Sequence, residues 1–366
     1  MNLRYLTYLK YLFYKRYPAE ITFFVTARCN FRCLHCFNIE KIKKGDFQNE
    51  LSLSEIEKIS KTIPEFMRLS LSGGEPFLRE DLAEICRLFY KNCRVGFISI
   101  PTNASLPEKI AQDAEKIVRF CPDLFLSISL SLDGLGKQRD DIVGRTNTEE
   151  LLLQTARKIN LLKGKYPNLG IGSITTQIPK NENQLDEIHQ FALKRLLVDN
   201  FGFNIARMTE GKMASPSLRI YQDFTQRLAK RKQPLFKFFL SRLVAAKKAL
   251  VFKQVLRTNR QGRYLRPCFS GNLRVVIDEL GNVYPCETLQ YARNNQKFLM
   301  GSLRDYNLNF KKLFFSQQAQ EIKSKIRKTK CFCAHECDLE TNILFNPGSV
   351  PELIIQALRL KFGNRA

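Results

Sequence analysis

Cys29-Asn-Phe-Arg-Cys33-Leu-His-Cys36 follows directly on the apolar run Ile21-Thr-Phe-Phe-Val25. A strand ending there delivers three thiols into one short loop at C-x3-C-x2-C spacing. Cysteine thiolates hold iron–sulfur clusters, as a rule about four to a cluster. Three from a single loop leave one iron without a protein ligand, open to a small molecule. A closed zinc site with a distant fourth donor is the competing reading, although zinc loops favour cysteines paired at about C-x2–4-C spacing.

The chain has 366 residues, enough for one barrel-sized domain and a smaller module. Hydrophobic residues make up 44%, which predicts a packed core rather than disorder. Of the eleven cysteines, eight fall in two dense groups with metal-ligand spacing. Residues 1–18 carry Arg4, Lys10, Lys15 and Arg16 and lack the smooth apolar core and cleavage site of a signal peptide. A reducing, cytoplasmic location is expected, with peripheral contact to a membrane kept open. The balance of 59 Lys+Arg against 35 Asp+Glu gives +24. Such a surplus fits nucleic acid, an anionic membrane surface or an acidic substrate, or a Lys-rich proteome with no further meaning. No apolar run reaches about 18 residues, so no transmembrane helix is expected.

Residues 2–17 read as a short helix with Leu, Tyr and basic residues, suited to a bilayer interface or to capping the bottom of a barrel. From 21 to 207 the pattern alternates. Apolar runs at 21–26, 68–72, 95–100, 124–131, 169–176 and 201–206 predict strands buried on both faces. Helix-period stretches lie between them at 52–63, 80–91, 107–120, 147–163 and 182–197. Ser52-Leu-Ser-Glu55 and Thr148-Glu-Glu are start signals for two of these helices. The alternation argues for an α/β fold with a parallel sheet, and six strands are too few to close a barrel of about eight.

Several turns carry further signals. Ser72-Gly73-Gly74-Glu75-Pro76 ends the second strand, and paired glycines let backbone approach a ligand. Pro101-Thr102-Asn103 ends the third strand and Ser131-Leu-Asp133-Gly134 the fourth, with Arg139 and Arg145 beyond. Cys86, Cys93 and Cys121 have no partner spacing and read as core thiols. Residues 217–256 predict one or two helices broken near Pro234. Over 219–266 there are fourteen basic residues against one acid, Asp223. With Phe236, Phe238 and Phe239 interleaved, this stretch suits a barrel-covering helix or contact with anionic lipid.

Cys268 and Cys286 bracket a hairpin predicted from Leu273–Ile277, a turn at Gly281-Asn282, and Val283–Cys286. Cys331, Cys333 and Cys337 follow. So small a unit needs a metal to hold it together. Five thiols stand for four cluster positions, and spacing does not decide which of Cys331, Cys333 and Cys337 is spare. Zinc, with His335 as a rival ligand, is the alternative. Residues 353–362 read as a terminal amphipathic helix.

The three-cysteine loop with His35 inside it, followed by Gly73-Gly74-Glu75-Pro76, resembles the radical S-adenosylmethionine (radical SAM) enzymes. The resemblance implies an open, partial (β/α)6 TIM-type barrel, then a helical insert and a small hairpin-containing cysteine-rich domain. It implies that Cys29, Cys33 and Cys36 hold a 4Fe–4S cluster whose open iron chelates SAM. A low-potential electron donor such as flavodoxin or ferredoxin would reduce it, and SAM would be cleaved to a 5′-deoxyadenosyl radical. His35 would contact adenine, and Gly73, Gly74 and Glu75 would hold the methionine amino group. Asn103 sits where relatives carry T-N-G, with Ala104 in place of the glycine. Ser131 and Arg145 would contact the SAM carboxylate. C-x12-G-x4-C with the distal cysteines resembles the SPASM and shorter twitch extensions, and five cysteines imply one auxiliary 4Fe–4S cluster. The expected units are 1–19, the barrel 20–207, the insert 208–267, the auxiliary domain 268–337 and the tail 338–366.

Three substrate classes compete. The first is an anionic or lipid-linked metabolite. The second is a peptide or protein, as for SPASM maturases. The third makes the chain a non-catalytic metal protein on nucleic acid, the partner least expected of a chain carrying these motifs.

Overall fold

Six parallel strands form the frame: β1 Glu20–Thr26, β2 Arg68–Gly73, β3 Phe97–Thr102, β4 Phe125–Ser131, β5 Leu169–Gln177 and β6 Asn200–Ile205. The computed structural model describes residues 8, 10–45, 47–206, 215–230, 239–292 and 294–362. Helices Leu53–Thr62, Leu82–Cys93, Pro107–Phe120, Thr148–Lys163 and Leu185–Lys194 connect successive strands. The first begins at a reciprocal cap: Ser52 Oγ accepts the Glu55 N–H, and the Glu55 carboxylate accepts the Ser52 N–H at 2.9 Å.

The strands are not uniformly buried on both faces, contrary to the reading from apolar runs. β1 is buried at every position, but β2, β3 and β4 alternate. Leu69, Leu71, Ile98, Ile100, Leu126, Ile128 and Leu130 are fully buried and pack into the main core under the helices. Their neighbours in sequence face the concave side and are only half-buried. An open barrel leaves that side accessible, so polar residues are tolerated there. Cys86, Cys93 and Cys121 are fully buried, as expected of core thiols.

The predicted hairpin forms as β7 Arg274–Ile277 and β8 Asn282–Tyr284, with the short β9 Gly301–Ser302 beside it. It is not a separate sheet. β7 lies parallel to β1 with Thr22 opposite Val276, giving the order β6-β5-β4-β3-β2-β1-β7-β8-β9. β6 and β9 are the edges, so the barrel stays open.

The basic stretch contributes helices Leu218–Lys230 and Phe239–Gln261, while Pro234, Phe236 and Phe238 lie outside the described residues. The second helix packs against Glu336–Leu344 and the terminal helix Val350–Phe362. Of 2–17, residues 2–7 and 9 lie outside the described residues, and the described part is helical only over Lys10–Phe13, shorter than the helix expected there. The described part packs down: Tyr8 and Tyr11 are buried with Ala19, Leu273 and Phe345 below β1 and β7. The Tyr11 hydroxyl donates to the Glu65 carbonyl at 3.1 Å.

Candidate functional site

β1 lies inside the extended sheet between β2 and β7, and the residues after it are fixed from both sides. Glu50 accepts the Thr26 hydroxyl at 2.8 Å and the Ala27 N–H at 2.7 Å. The end of β2 then lies backbone-to-backbone on this loop: the Gly74 N–H donates to Thr26 O and the Glu75 N–H to Arg28 O, both at 2.8 Å. A Cβ on Gly73 would sit 2.3 Å from Thr26 O, and one on Gly74 2.0 Å from Arg28 O. Only glycine fits. On the far side, the Arg32 and Leu34 N–H groups donate to Val143 O and Ile142 O at 3.0 and 2.9 Å.

Glu75 is the buried tie between strand ends. It accepts the Thr102 hydroxyl at 2.8 Å, the Asn103 N–H at 2.7 Å and the Phe77 N–H at 3.2 Å. Burial pushes its carboxyl up and these donors pull it back, leaving it at about 7. Asn103 in turn donates through Nδ2 to Asn30 Oδ1 at 2.8 Å and reaches Cys29 Sγ at 3.9 Å. Ala104 has φ +63°, the left-handed region that favours glycine, which is the physical reason a glycine is common at this turn.

The three thiols share the loop, and all are partly exposed. Burial pushes Cys29 and Cys33 above the ordinary thiol range and Cys36 to about 11. Sulfur therefore keeps its proton until a metal displaces it. His35 lies with Nε2 3.5 Å from Asp133 Oδ2, and its Nδ1 is buried without a hydrogen-bond partner. Ser131 is half-buried, and its carbonyl accepts from Arg139 Nη1 at 2.9 Å. Arg139 is fully buried, with Nε and Nη2 unpartnered. Arg145 is exposed, its guanidinium 5.7 Å from the Phe31 ring centroid. The donor set fits an iron–sulfur cluster with a polar ligand beside it: three adjacent thiols, glycine backbone, and buried nitrogen atoms awaiting acceptors.

Motif reading missed Asn30, Asn38 and Glu50. Asn38 Nδ2 donates to Gly73 O at 2.8 Å and its Oδ1 accepts the Tyr291 hydroxyl at 2.7 Å, linking the loop to the chain after Cys286. Short polar residues within and just after a cysteine loop were the available signal for Asn30 and Asn38, and nothing local marks Glu50.

In the second cysteine group, Cys286 is raised by burial, by Asp338 and by the neighbouring thiols of Cys333 and Cys268. Cys331 and Cys333 likewise feel Cys268. Cys268 thus neighbours each of the other three thiols, and Cys333 neighbours both Cys286 and Cys331. Arg274 donates to the Cys337 carbonyl at 3.3 Å. Beneath them Arg274 is buried among Glu20, Glu287 and Asp338, and Asp338 also meets His335 Nδ1 at 2.7 Å. Four thiols over a polar, ion-paired floor suit a second cluster. Among the described residues, no three His, Cys, Asp or Glu side chains converge closely enough for one metal ion.

Residues 23–192 match the Radical SAM superfamily and residues 268–338 the SPASM iron–sulfur cluster-binding domain. An uncharacterized protein of Methanocaldococcus jannaschii is 23% identical over 274 residues, 73% of this chain and 84% of that protein. The pre-heme d1 synthase of Dinoroseobacter shibae is 29% identical over 166 residues, 45% of this chain and 38% of the synthase. A probable GTP 3′,8-cyclase of Methanococcus maripaludis is 37% identical over 173 residues, 45% of this chain and 55% of the cyclase. The chain thus spans about half, or less, of the curated relatives with named activities. Streptococcus suis SuiB bound to S-adenosylmethionine shares the fold at TM-score 0.60 and 15% identity, over 84% of this chain and 68% of SuiB. The protein anSMEcpe with bound AdoMet does so at 0.58 and 18%, over 95% and 96%. The paired matches, on an open sheet of six parallel strands with its cysteine loop just after β1, show that the chain belongs to the radical SAM superfamily of SAM-dependent 4Fe–4S enzymes and carries a C-terminal SPASM-type domain.

Proposed function

We propose that Cys29, Cys33 and Cys36 ligate the SAM-binding cluster and that the enzyme abstracts hydrogen from a small anionic or lipid-linked metabolite. The carrying observation is the cysteine loop itself, fixed by Glu50, by the Gly73-Gly74 backbone and through Glu75 by Asn103. When bound, the reduced cluster and SAM supply the 5′-deoxyadenosyl radical. The protein's part is positional. Gly73, Gly74 and Glu75 bring backbone to the methionine end. Ser131 and Arg139 present polar groups to its carboxylate, with Arg145 as the alternative arginine. His35 faces the adenine with a free ring nitrogen.

The functional units of this reading are the barrel 20–207 and the auxiliary domain 268–337, joined by the helical stretch 208–267. Cys268, Cys286, Cys331 and Cys333 hold the auxiliary cluster, and Cys337 is the spare. A flavodoxin- or ferredoxin-like donor supplies the electron. Contact with an anionic membrane surface belongs to the same proposal: Phe13, Tyr14, Ile354, Ile355 and Leu358 are exposed on a strongly basic chain.

Anaerobic reconstitution tests it. The protein should hold about eight irons, two four-iron clusters' worth. With dithionite and SAM it should release 5′-deoxyadenosine. Intact clusters without that product overturn the reading.

A further inference from the structure

Strand register places side chains of the concave face in layers. The lowest layer runs Arg274, Glu20, Arg68, Phe97, Phe125 across β7, β1, β2, β3 and β4. Phe97 stacks on Phe125 with centroids 5.8 Å apart, and Arg68 lies 5.5 Å from the Phe97 centroid. This layer closes the bottom of the barrel.

The layer above it is Thr22, Ser70, Ser99, Ser127 and Gly170, one residue from each of five adjacent strands. Across β1–β5 every side chain in it is small and all but glycine carry a hydroxyl, while Val276 of β7 stands beside Thr22, whose hydroxyl accepts from Arg274 Nη2 at 3.2 Å. A Cβ on Gly170 would meet the Phe125 ring at 2.8 Å, so the closing layer forbids anything larger there. Ser72, Ser129 and Ser131 continue the same face upward and, like Ser70, Ser99 and Ser127, are half-exposed. From Phe125 to Ser131 the strand rises about 20 Å at roughly 3.3 Å per residue. A filled barrel interior uses bulky branched side chains. Small hydroxyl side chains instead leave room, here termed the chamber, below the level at which Ser131 and the glycine turn stand.

The chamber is lined by uncharged hydroxyls, and one side of its floor carries surplus positive charge. Arg68 and Lys247 both pair with Glu340, at 3.6 and 3.0 Å. Burial pulls the Glu340 carboxyl upward, but Lys247 and Arg68 outweigh it and hold it at about 2. One carboxylate thus answers two cations, with Lys248 close by. The acids on the other side, Glu20, Glu287 and Asp338, are all directed at Arg274.

We propose that the chamber takes a hydroxylated small molecule bearing one anionic group, its hydroxyls on Ser70, Ser99 and Ser127 and its anion on Arg68. This rests on the radical SAM reading above and names the substrate class for it. Hydroxyl rows both donate and accept, so they suit a polyol ring rather than an apolar chain. The anion at the far end sets which carbon is presented upward to the radical.

The test is isothermal titration of anaerobic, fully loaded protein. Ribose 5-phosphate and glucose 6-phosphate are the probes, with ribose, glucose and inorganic phosphate as controls. At least one sugar phosphate should bind tenfold or more tighter than its parent sugar and than inorganic phosphate. Arg68→Met should remove that advantage, while Arg68→Lys should retain binding to within about threefold. Ser99→Val should weaken sugar phosphate binding severalfold and leave inorganic phosphate unchanged. No sugar phosphate binding above the controls overturns the proposal, as does unchanged binding by a folded Arg68→Met or by Ser99→Val. Formation of 5′-deoxyadenosine by the wild type is scored separately, so failure of the substrate class and failure of the radical chemistry are told apart.

Discussion

Thr102 Oγ1 lies 2.8 Å from Glu75 Oε1, and the neighbouring Asn103 N–H holds the other carboxylate oxygen at 2.7 Å. Through this contact the end of β3 sets the end of β2, which in turn sets the cysteine loop. Between its ordinary value of 4.5 and about 7, Glu75 keeps a proton in the folded protein that the unfolded chain has released. Its contribution is therefore intact below pH 4.5 and is lost as pH rises towards 7, at roughly 1.4 kcal/mol per unit. Glu75→Gln should flatten that slope. It should also cost about 1–3 kcal/mol at pH 5, because its amide NH2 must face a donor. Urea unfolding of the loaded protein at pH 5, 6 and 7 reads both effects, and a variant as steep as wild type would refute the assignment.

Gly74→Ala should lose the N-terminal cluster selectively. Its Cβ would stand 2.0 Å from Arg28 O, which forces the loop off β2. Iron should fall from about eight to about four per chain. Gly164→Ala, whose Cβ meets nothing closer than 3.4 Å, is the control and should keep both clusters.

Ala104→Gly should stabilise the fold by up to about 1 kcal/mol by relieving a left-handed residue. Ala104→Val should do the opposite by more than that, since the site has φ +63° and no exposed surface. Urea midpoints decide it.

Cys337→Ala should retain about eight irons, whereas Cys286→Ala should drop to about four. The reverse pattern would move the spare thiol elsewhere.

Flotation with anionic liposomes checks the surface proposal. Full-length protein should float, and Ile354→Glu with Ile355→Glu should abolish flotation without changing the melting temperature by more than a few degrees. Equal flotation by both would exclude the terminal helix as the contact.

The strand and helix succession was legible because each element carries its own periodicity and caps, as at Ser52 and Glu55. The fate of the hairpin was not. Pairing β7 with β1 joins Glu20 to Arg274, and no local signal announces so distant a contact. The alternation in β4, Phe125-Leu-Ser-Ile-Ser-Leu-Ser131, is present in the chain, but it stands within an otherwise apolar run that masks the polar face. Arg139 and Arg145 were both visible as candidates. Which one turns inward depends on how the Gly136–Val143 helix seats on β4, a packing outcome rather than a motif.

Because β1 carries the first thiol group and the adjacent β7–β8 hairpin leads into Cys286, one hydrogen-bonded ladder sets the span between the two metal-binding regions. Electron tunnelling between them would then have a path length set by that ladder. The basic helices pack into the same core through Tyr221, Phe224 and Val255, so only their outward faces can vary without touching that span.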